Sequence, residues 1–252
     1  MIRRGQTIFI SIEKDIALVR MTNGVTNAIS MALVNDLDDV VDRVKRECKG
    51  MVLAGGDKFF SIGFDLPSLL PLDKDGFTEF FINFHKVLLK IYTLPLPTVT
   101  AIVGHAVAGG NILALSTDYR FMADGKNRIG LNEVNLGVPV PYLADMLLRQ
   151  LIGDRAATEM QFGGELLSVD KAFRNGLVDV VFPKEEVEKS ALQKVAALAG
   201  KPNSGFSQIK ANRVDVIKQR YSQYGPEKNK KFLDCWYLPE VQMLLKKAEE
   251  HF

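Results

Sequence analysis

The sequence predicts an α/β body followed by a wholly helical C-terminal region, and three observations carry that prediction. Strand patterns alternate with helical patterns up to about residue 182, no strand pattern follows Pro183, and the charge balance changes a little farther on. Residues 1–198 hold 22 Lys and Arg against 24 Asp and Glu, whereas 199–252 hold 10 against 6. The division is therefore expected at 198/199, with the body in 1–198 and the helical region in 199–252.

At 252 residues the chain can bury a large core without staples. Cys48 and Cys235 lie too far apart for metal or redox spacing, which points to a reduced intracellular protein. The opening Met1-Ile2-Arg3-Arg4-Gly5 lacks the apolar run of a signal peptide, and no stretch reaches the ~18 to 20 apolar residues of a membrane span. The end, Glu250-His251-Phe252, is not a peroxisomal S-K-L address. These features predict a cytoplasmic protein with no membrane partner. The net charge is +2, and the densest basic run, Lys228-Asn229-Lys230-Lys231, reads as a solvated helix face. No nucleic-acid partner is expected. There is no fixed-period repeat and no low-complexity segment.

In chain order, residues 7–12 and 16–21 read as a hairpin around Glu13-Lys14-Asp15. Ser30 caps a helix whose Leu33, Leu37, Val40, Val41 and Val44 form one apolar stripe. Met51-Val52-Leu53-Ala54 is a short buried strand, and 58–65 is a glycine-containing loop with two exposed-looking aromatics, Phe59 and Phe60. A helix over 77–92 carries an aromatic stripe that reads as core. Pro95 and Pro97 end it before a β-branched, uncharged strand at 98–103. A glycine turn at 104–110 then leads into a small apolar helix beginning at Asn111, whose N-terminus offers unpaired N–H groups. Tyr119 opens another strand, helices follow at 142–151 and 155–162, and Ser168 caps a helix over 169–174 that ends at Gly176. A last strand is expected at 177–181. Beyond it the helices break at Gly200-Lys201-Pro202, Gly225-Pro226 and Pro239.

Extended backbone at Ile129-Gly130-Leu131-Asn132-Glu133 would put Ile129, Leu131 and Glu133 on one face. Glu133 is then either a desolvated base of raised pKa or a surface acid after a short strand. His85, His105 and His251 have no partners at ligand spacing, and His105, nearest the glycine turn, reads as structural.

Several motifs, taken together, resemble the enoyl-CoA hydratase/isomerase superfamily, the crotonases. Asn27-Ala28 follows the opening hairpin, and Ala54-Gly55-Gly56-Asp57-Lys58-Phe59-Phe60-Ser61-Ile62-Gly63-Phe64-Asp65-Leu66 is similar to the loop G-x-x-x-x-F-x-x-G-x-D. Residues 104–113, Asp118-Tyr119-Arg120, Glu133 with Leu136-Gly137, and Gly176-Leu177-Val178-Asp179 follow in family order, so the resemblance covers most of the chain. It implies a spiral of ββα units forming two roughly perpendicular sheets, an α-helical C-terminal oligomerisation region that builds a homotrimer or dimer of trimers, and acyl-CoA thioester substrates. By position, the backbone N–H groups of Phe64 and Gly109 would form an oxyanion hole for a thioester enolate. Gly109 is needed either for that approach or for backbone conformation alone. Residues 58–64, Ser61 among them, would line the CoA. Ile62 would offer its backbone to the adenine, and Lys58 would be a phosphate contact or a solvated turn lysine.

One departure selects the branch. Hydratases of the family carry two glutamates, and here the first position is Ile112 while the second is Glu133. Holding a water is helped by two carboxylates, whereas moving a double bond needs one base that takes a proton at C2 and returns it at C4. Leu131-Asn132-Glu133 and Pro141-Tyr142 resemble the Δ3,Δ2-enoyl-CoA isomerase branch, so Ile112 and Tyr142 join the expected substrate-binding residues. The reading is an isomerase with no metal or redox cofactor, coenzyme A being part of the substrate. Hydration or thioester hydrolysis with Asn111 or His105 holding a water, and a CoA-binding homologue without turnover, are the alternatives.

Overall fold

The computed structural model describes residues 7–250. The termini on which the targeting expectations rest, Met1–Gly5 and His251–Phe252, lie outside the described residues.

The opening hairpin pairs β1 (Ile8–Glu13) with β2 (Ile16–Met21) in antiparallel register. Lys14 and Asp15 make the turn with φ of 49° and 63°. Helix α1 (Met31–Glu47) starts where Ser30 accepts the Leu33 N–H, a cap worth about 1 kcal/mol. It buries Leu33, Val34, Leu37, Val41 and Val44 on one stripe.

From here the chain repeats one plan, in which two strands are followed by a helix. The first strands, β3 (Gly50–Ala54), β5 (Thr98–Ile102) and β7 (Tyr119–Ala123), lie side by side and parallel in a six-stranded sheet ordered β1-β2-β3-β5-β7-β10. The second strands, β4 (Phe59–Ser61), β6 (His105–Val107) and β8 (Arg128–Gly130), form a smaller sheet closed by β9 (Leu167–Ser168). Each turn therefore adds one strand to each sheet. The helices after the pairs are α2 (Leu66–Leu69) with α3 (Lys74–Tyr92), then α4 (Gly109–Leu115), then α5 (Tyr142–Gly163). Gly153, with φ 79°, kinks α5 where two separate helices are expected. After α6 (Val169–Arg174), capped by Ser168 as predicted, β10 (Val180–Phe182) completes the large sheet beside β7.

Three expectations about local structure are corrected. Strands β4, β6 and β9 arise where none was expected, because three- and two-residue strands carry no readable period. Phe60 is fully buried rather than exposed, since the strand β4 turns it into the core. Helix α8 (Asn203–Trp236) runs unbroken through Gly225-Pro226. The proline forfeits one backbone bond there, and packing on the body holds the helix together.

Helix α7 (Val187–Ala199) packs on β3 and β5, α8 on α3 and α5, and α9 (Pro239–Glu249) on α2. Lys210 of α8 is buried and donates to Asp118 at 2.8 Å and to the Leu96 carbonyl at 2.9 Å. Asp118 also accepts the Thr98 N–H and hydroxyl, and buried Arg120 pairs with Asp179 at 2.8 Å while its Nε donates to the Leu177 carbonyl. The motifs Asp118-Tyr119-Arg120 and Gly176-Leu177-Val178-Asp179 thus tie β7 to the segment before β10 and to α8. They are architectural.

Candidate active site

A cavity of about 350 Å³ opens between the small sheet, the glycine turn and the C-terminal helices. Its wall includes Phe59, Ile62, Phe64, Gly109, Ile112 and Glu133, so five of the expected site residues meet in one place. Glu133 is the one carboxylate on that wall among the described residues.

The glycine turn is built around strain and close approach. Ala108 accepts φ 47° and ψ −119°, a conformation that costs an L-residue roughly 1–3 kcal/mol, and its N–H donates to the Gly130 carbonyl at 2.9 Å. This bond locks the start of α4 to β8. A Cβ on Gly110 would sit 2.3 Å from the Ser61 carbonyl oxygen, so only glycine fits there. Gly109 is less constrained, because its added Cβ would meet side-chain carbons of Ile29 and Phe64 at 3.2 Å.

Phe64 is presented from the opposite side. Ile29 and Phe64 form a parallel bridge in which the Ile29 N–H donates to the Gly63 carbonyl and the Asp65 N–H donates to the Ile29 carbonyl. In that arrangement the Phe64 N–H faces away from Ile29. It has no backbone or side-chain partner among the described residues, and neither has the Gly109 N–H. The two segments touch, since a Cβ on Gly63 would stand 3.2 Å from the Gly109 nitrogen. The Phe64 ring is held edge-on by Phe80 and Phe84, with centroids at 5.0 and 5.2 Å, and by Trp236 at 6.4 Å. Part of the aromatic stripe on α3 therefore anchors the Phe64 ring beside the glycine turn.

Glu133 does not extend strand β8. The strand ends at Gly130, and Glu133 opens a single 3-10 turn, Glu133–Leu136, closed by Gly137 in the left-handed region. It is buried, and desolvation raises its pKa from the usual carboxylate range to about 7, against the smaller opposing effect of its own backbone N–H. Its Oε2 is enclosed and has no hydrogen-bond partner. Glu133 is thus a buried, desolvated acid and not one on the surface.

Lys58, Ser61 and Tyr142 do not reach the cavity wall. The Lys58 ammonium lies 5.6 Å from the Phe59 ring centroid. Ser61 is fully buried behind the wall, where its Oγ accepts the Gly63 N–H at 3.2 Å and so shapes the turn before Phe64. Tyr142 begins α5, and its hydroxyl oxygen accepts from Arg220 Nε at 3.2 Å, while its neighbour Pro141 lines the cavity instead. Asn111 is fully buried off the wall with neither side-chain amide atom partnered, and His105 accepts the Arg128 N–H at 2.9 Å. Among the described residues no three His, Cys, Asp or Glu side chains gather as a metal site requires.

Sequence reasoning missed the far wall, made by Leu66, Phe232, Trp236, Leu245 and Ala248. The only available signal was the spacing of Phe232 and Trp236 by four residues, which puts both on one face of α8 but does not say what that face meets.

Stacked ββα turns, with a glycine turn and a short helix facing one buried glutamate, define a crotonase-like protein. The family model described as Enoyl-CoA hydratase/isomerase matches residues 11–234, and the chain belongs to that family. The mitochondrial enoyl-CoA delta isomerase 1 of Rattus norvegicus is 30% identical over 217 residues, covering 82% of this chain and 75% of its own. The mouse enoyl-CoA delta isomerase 1 is 29% identical over 214 residues, covering 81% and 74%. The crystal structure of human mitochondrial delta3-delta2-enoyl-CoA isomerase superposes with a TM-score of 0.93 at 26% identity, covering 98% of both chains.

Proposed function

We propose that this protein is a Δ3,Δ2-enoyl-CoA isomerase that moves the double bond of a 3-enoyl-CoA to give trans-2-enoyl-CoA. The observation that carries the reading is the composition of the cavity wall, where Glu133 is the lone carboxylate among the described residues and Ile112 stands where a second would be needed to hold water. The similarity to delta isomerases from rat, mouse and human supports the same choice.

In the proposed reaction the Glu133 carboxylate takes a proton from C2. The C2–H bond electrons form the dienolate, whose oxygen accepts from the N–H groups of Phe64 and Gly109. Those donors are fixed before the charge appears, and the N-terminus of α4 adds its positive end. Glu133 then returns the proton to C4 and recovers its charge, so nothing is oxidised or reduced and no cofactor is consumed. A pKa of about 7 suits both halves, because the group gives and takes the proton near neutral pH. Ile62, on the open side, would lie along the CoA.

The assay offers 3-enoyl-CoA and 2-enoyl-CoA separately and identifies the products. Isomerisation of the first with little hydration of the second is expected. Hydration of the second at an equal rate would establish the hydratase alternative, and tight CoA binding without turnover would establish the non-catalytic one.

We also propose a homotrimer or a dimer of trimers. Phe162, Ile209, Val216 and Met243 are exposed large apolar side chains that such an assembly would cover. The cytoplasmic placement rests on the two free cysteines, while the relatives named mitochondrial favour an organelle. Fractionation of the source cells decides it.

A further inference from the structure

Glu133 stands on a small support. Its turn, Glu133–Leu136, closes through three-residue bonds, with the Asn135 N–H donating to the Asn132 carbonyl at 3.0 Å and the Gly137 N–H to the Val134 carbonyl at 3.2 Å. One such turn does not hold its own shape in water, because these bonds are poorly aligned and nucleating a turn costs more than it returns. Glu133 and Leu136, three apart and eclipsed, both face the cavity. Asn135 points the other way. Exposed otherwise, it donates from Nδ2 to the Gly164 carbonyl at 2.9 Å, and among the described residues no other side chain of the turn makes a hydrogen bond. Gly164 is shaped to receive it. It ends α5 at φ 58°, and a Cβ there would stand 2.8 Å from Asn135 Nδ2 and 2.7 Å from a Val134 methyl. The next residue packs just as closely on β8, since a Cβ on Gly130 would stand 2.9 Å from the Glu165 carbonyl oxygen. The segment after α5 therefore grips the stretch that carries Glu133 at Gly130 before it and at Asn135 after it.

We propose that Asn135 is a positioning residue for the proton shuttle, its bond to Gly164 locking the turn in the rotation that keeps Glu133 enclosed and aimed into the cavity. The lock rests on the isomerase reading for what Glu133 does to substrate, and on geometry alone for what Asn135 does to Glu133. One carboxylate that must reach both C2 and C4 tolerates little misplacement, so a turn free to rotate loses rate. It also admits water to the carboxylate. Burial is what raises the Glu133 pKa, and no other charged side chain stands on the cavity wall among the described residues. Of the titratable groups on the packed elements, Cys235 donates its thiol to the Gly137 carbonyl and is kept neutral by burial, while the exposed Glu165 carboxylate pairs with Lys171. Loosening the turn therefore moves the Glu133 pKa downward, toward that of a solvated acid.

Two variants test this. Asn135→Ala deletes the donor, and Asn135→Gln keeps an amide that still reaches the carbonyl from an exposed position, so neither disturbs the core. With 3-enoyl-CoA, Asn135→Ala should lower kcat about tenfold and move the acidic limb of its pH profile down by about one unit. Binding of saturated acyl-CoA should stay within about twofold, read from the fluorescence of Trp236, the single tryptophan of the chain and a residue of the cavity wall. Asn135→Gln should recover most of the rate and the limb. A residue that only stabilised the fold would lower the melting temperature and leave the limb in place. The second readout needs no turnover. The pH at which Glu133→Gln gains stability on its parent reports the Glu133 pKa, and in an Asn135→Ala background that midpoint should fall by about one unit from about 7. If the midpoint moves while the parent isomerises no 3-enoyl-CoA, the isomerase reading fails and the lock stands. If Asn135→Ala moves neither the limb nor the midpoint, or if Asn135→Gln loses as much as Asn135→Ala, the lock is overturned.

Discussion

Two buried titratable groups, Glu133 at the cavity and His85 in the aromatic core, are pushed by the same force toward their neutral forms with opposite consequences. Desolvation lifts Glu133 to about 7 and drops His85 to about 4. His85 is enclosed on α3, with Nδ1 donating to the Phe81 carbonyl at 2.7 Å and its ring packed on Phe81 and stacked near Tyr221. It meets no cavity. Glu133 has the cavity in front of it and a free Oε2. A perturbed pKa alone therefore does not mark a catalytic group in this molecule. Access separates the base from the inert ring.

The largest effect expected breaks that comparison at Glu133. Glu133→Gln is nearly isosteric and cannot accept the C2 proton, so isomerase activity should fall at least ~10² to 10⁴-fold while binding of saturated acyl-CoA, followed at Trp236, is kept. His85→Gln should leave kcat within about twofold, since its ring reaches neither the cavity nor a residue that lines it through a polar contact. A Glu133→Gln enzyme within a few-fold of the parent would remove this carboxylate from the mechanism.

How far the sequence shows this contrast differs between its two halves. The elements around His85 were legible, because a 19-residue helix with Phe77, Phe80, Phe81, Phe84, Val87, Leu88 and Ile91 repeats its period several times. The strands β3 and β5 and the Ser30 and Ser168 caps were legible for similar local reasons. Around Glu133 the elements are two to four residues long, too short for a period, and the extended backbone that would have aimed the glutamate inward is replaced by a 3-10 turn. Its identity as a site residue came from motif text. The far wall was invisible because Phe232, Trp236, Leu245 and Ala248 reach the cavity by docking from about a hundred residues away. Local pattern holds no record of that. Pro226 misled for the reverse reason, since a strong local breaker was overridden by packing along α8.

A second test sharpens the contrast by adding a charge where access exists. Ile112 lines the cavity with Glu133 and is 1% exposed. Ile112→Glu introduces an acid into carbon surroundings and should cost roughly 3–5 kcal/mol of stability, partly relieved by its protonation or by an entering water. Hydration of 2-enoyl-CoA should rise above the parent's level while isomerisation through Glu133 persists. If the unaltered protein already hydrates 2-enoyl-CoA as fast as it isomerises 3-enoyl-CoA, the weight placed on Ile112 is misplaced.

The smallest effect is a matched pair of pH dependences in stability, with opposite signs. Glu133 titrates near 4.5 when unfolded and near 7 when folded, so between those values the folded chain keeps a proton that the unfolded chain has lost. Its contribution is full below pH 4.5 and is lost as pH rises through 7, at about 1.4 kcal/mol per pH unit and roughly 3 kcal/mol in all. His85 titrates near 6.5 unfolded and near 4 folded, so there the unfolded chain holds the extra proton. Its contribution is full above pH 6.5 and is lost as pH falls through 4, again roughly 3 kcal/mol. Between pH 4.5 and 6.5 the two slopes cancel, and the parent should show little pH dependence from this pair. Each substitution exposes the other group. Urea unfolding of Glu133→Gln should show stability rising from pH 4.5 to 6.5 and then holding to pH 8, so that the variant gains on the parent by roughly 3 kcal/mol from pH 4.5 to 8. Unfolding of His85→Gln should show stability falling steadily from pH 4.5 to 7. A constant difference between Glu133→Gln and the parent at pH 4.5 and pH 8 would mean that the carboxyl is not held neutral by burial. Access alone would then have to account for what Glu133 does.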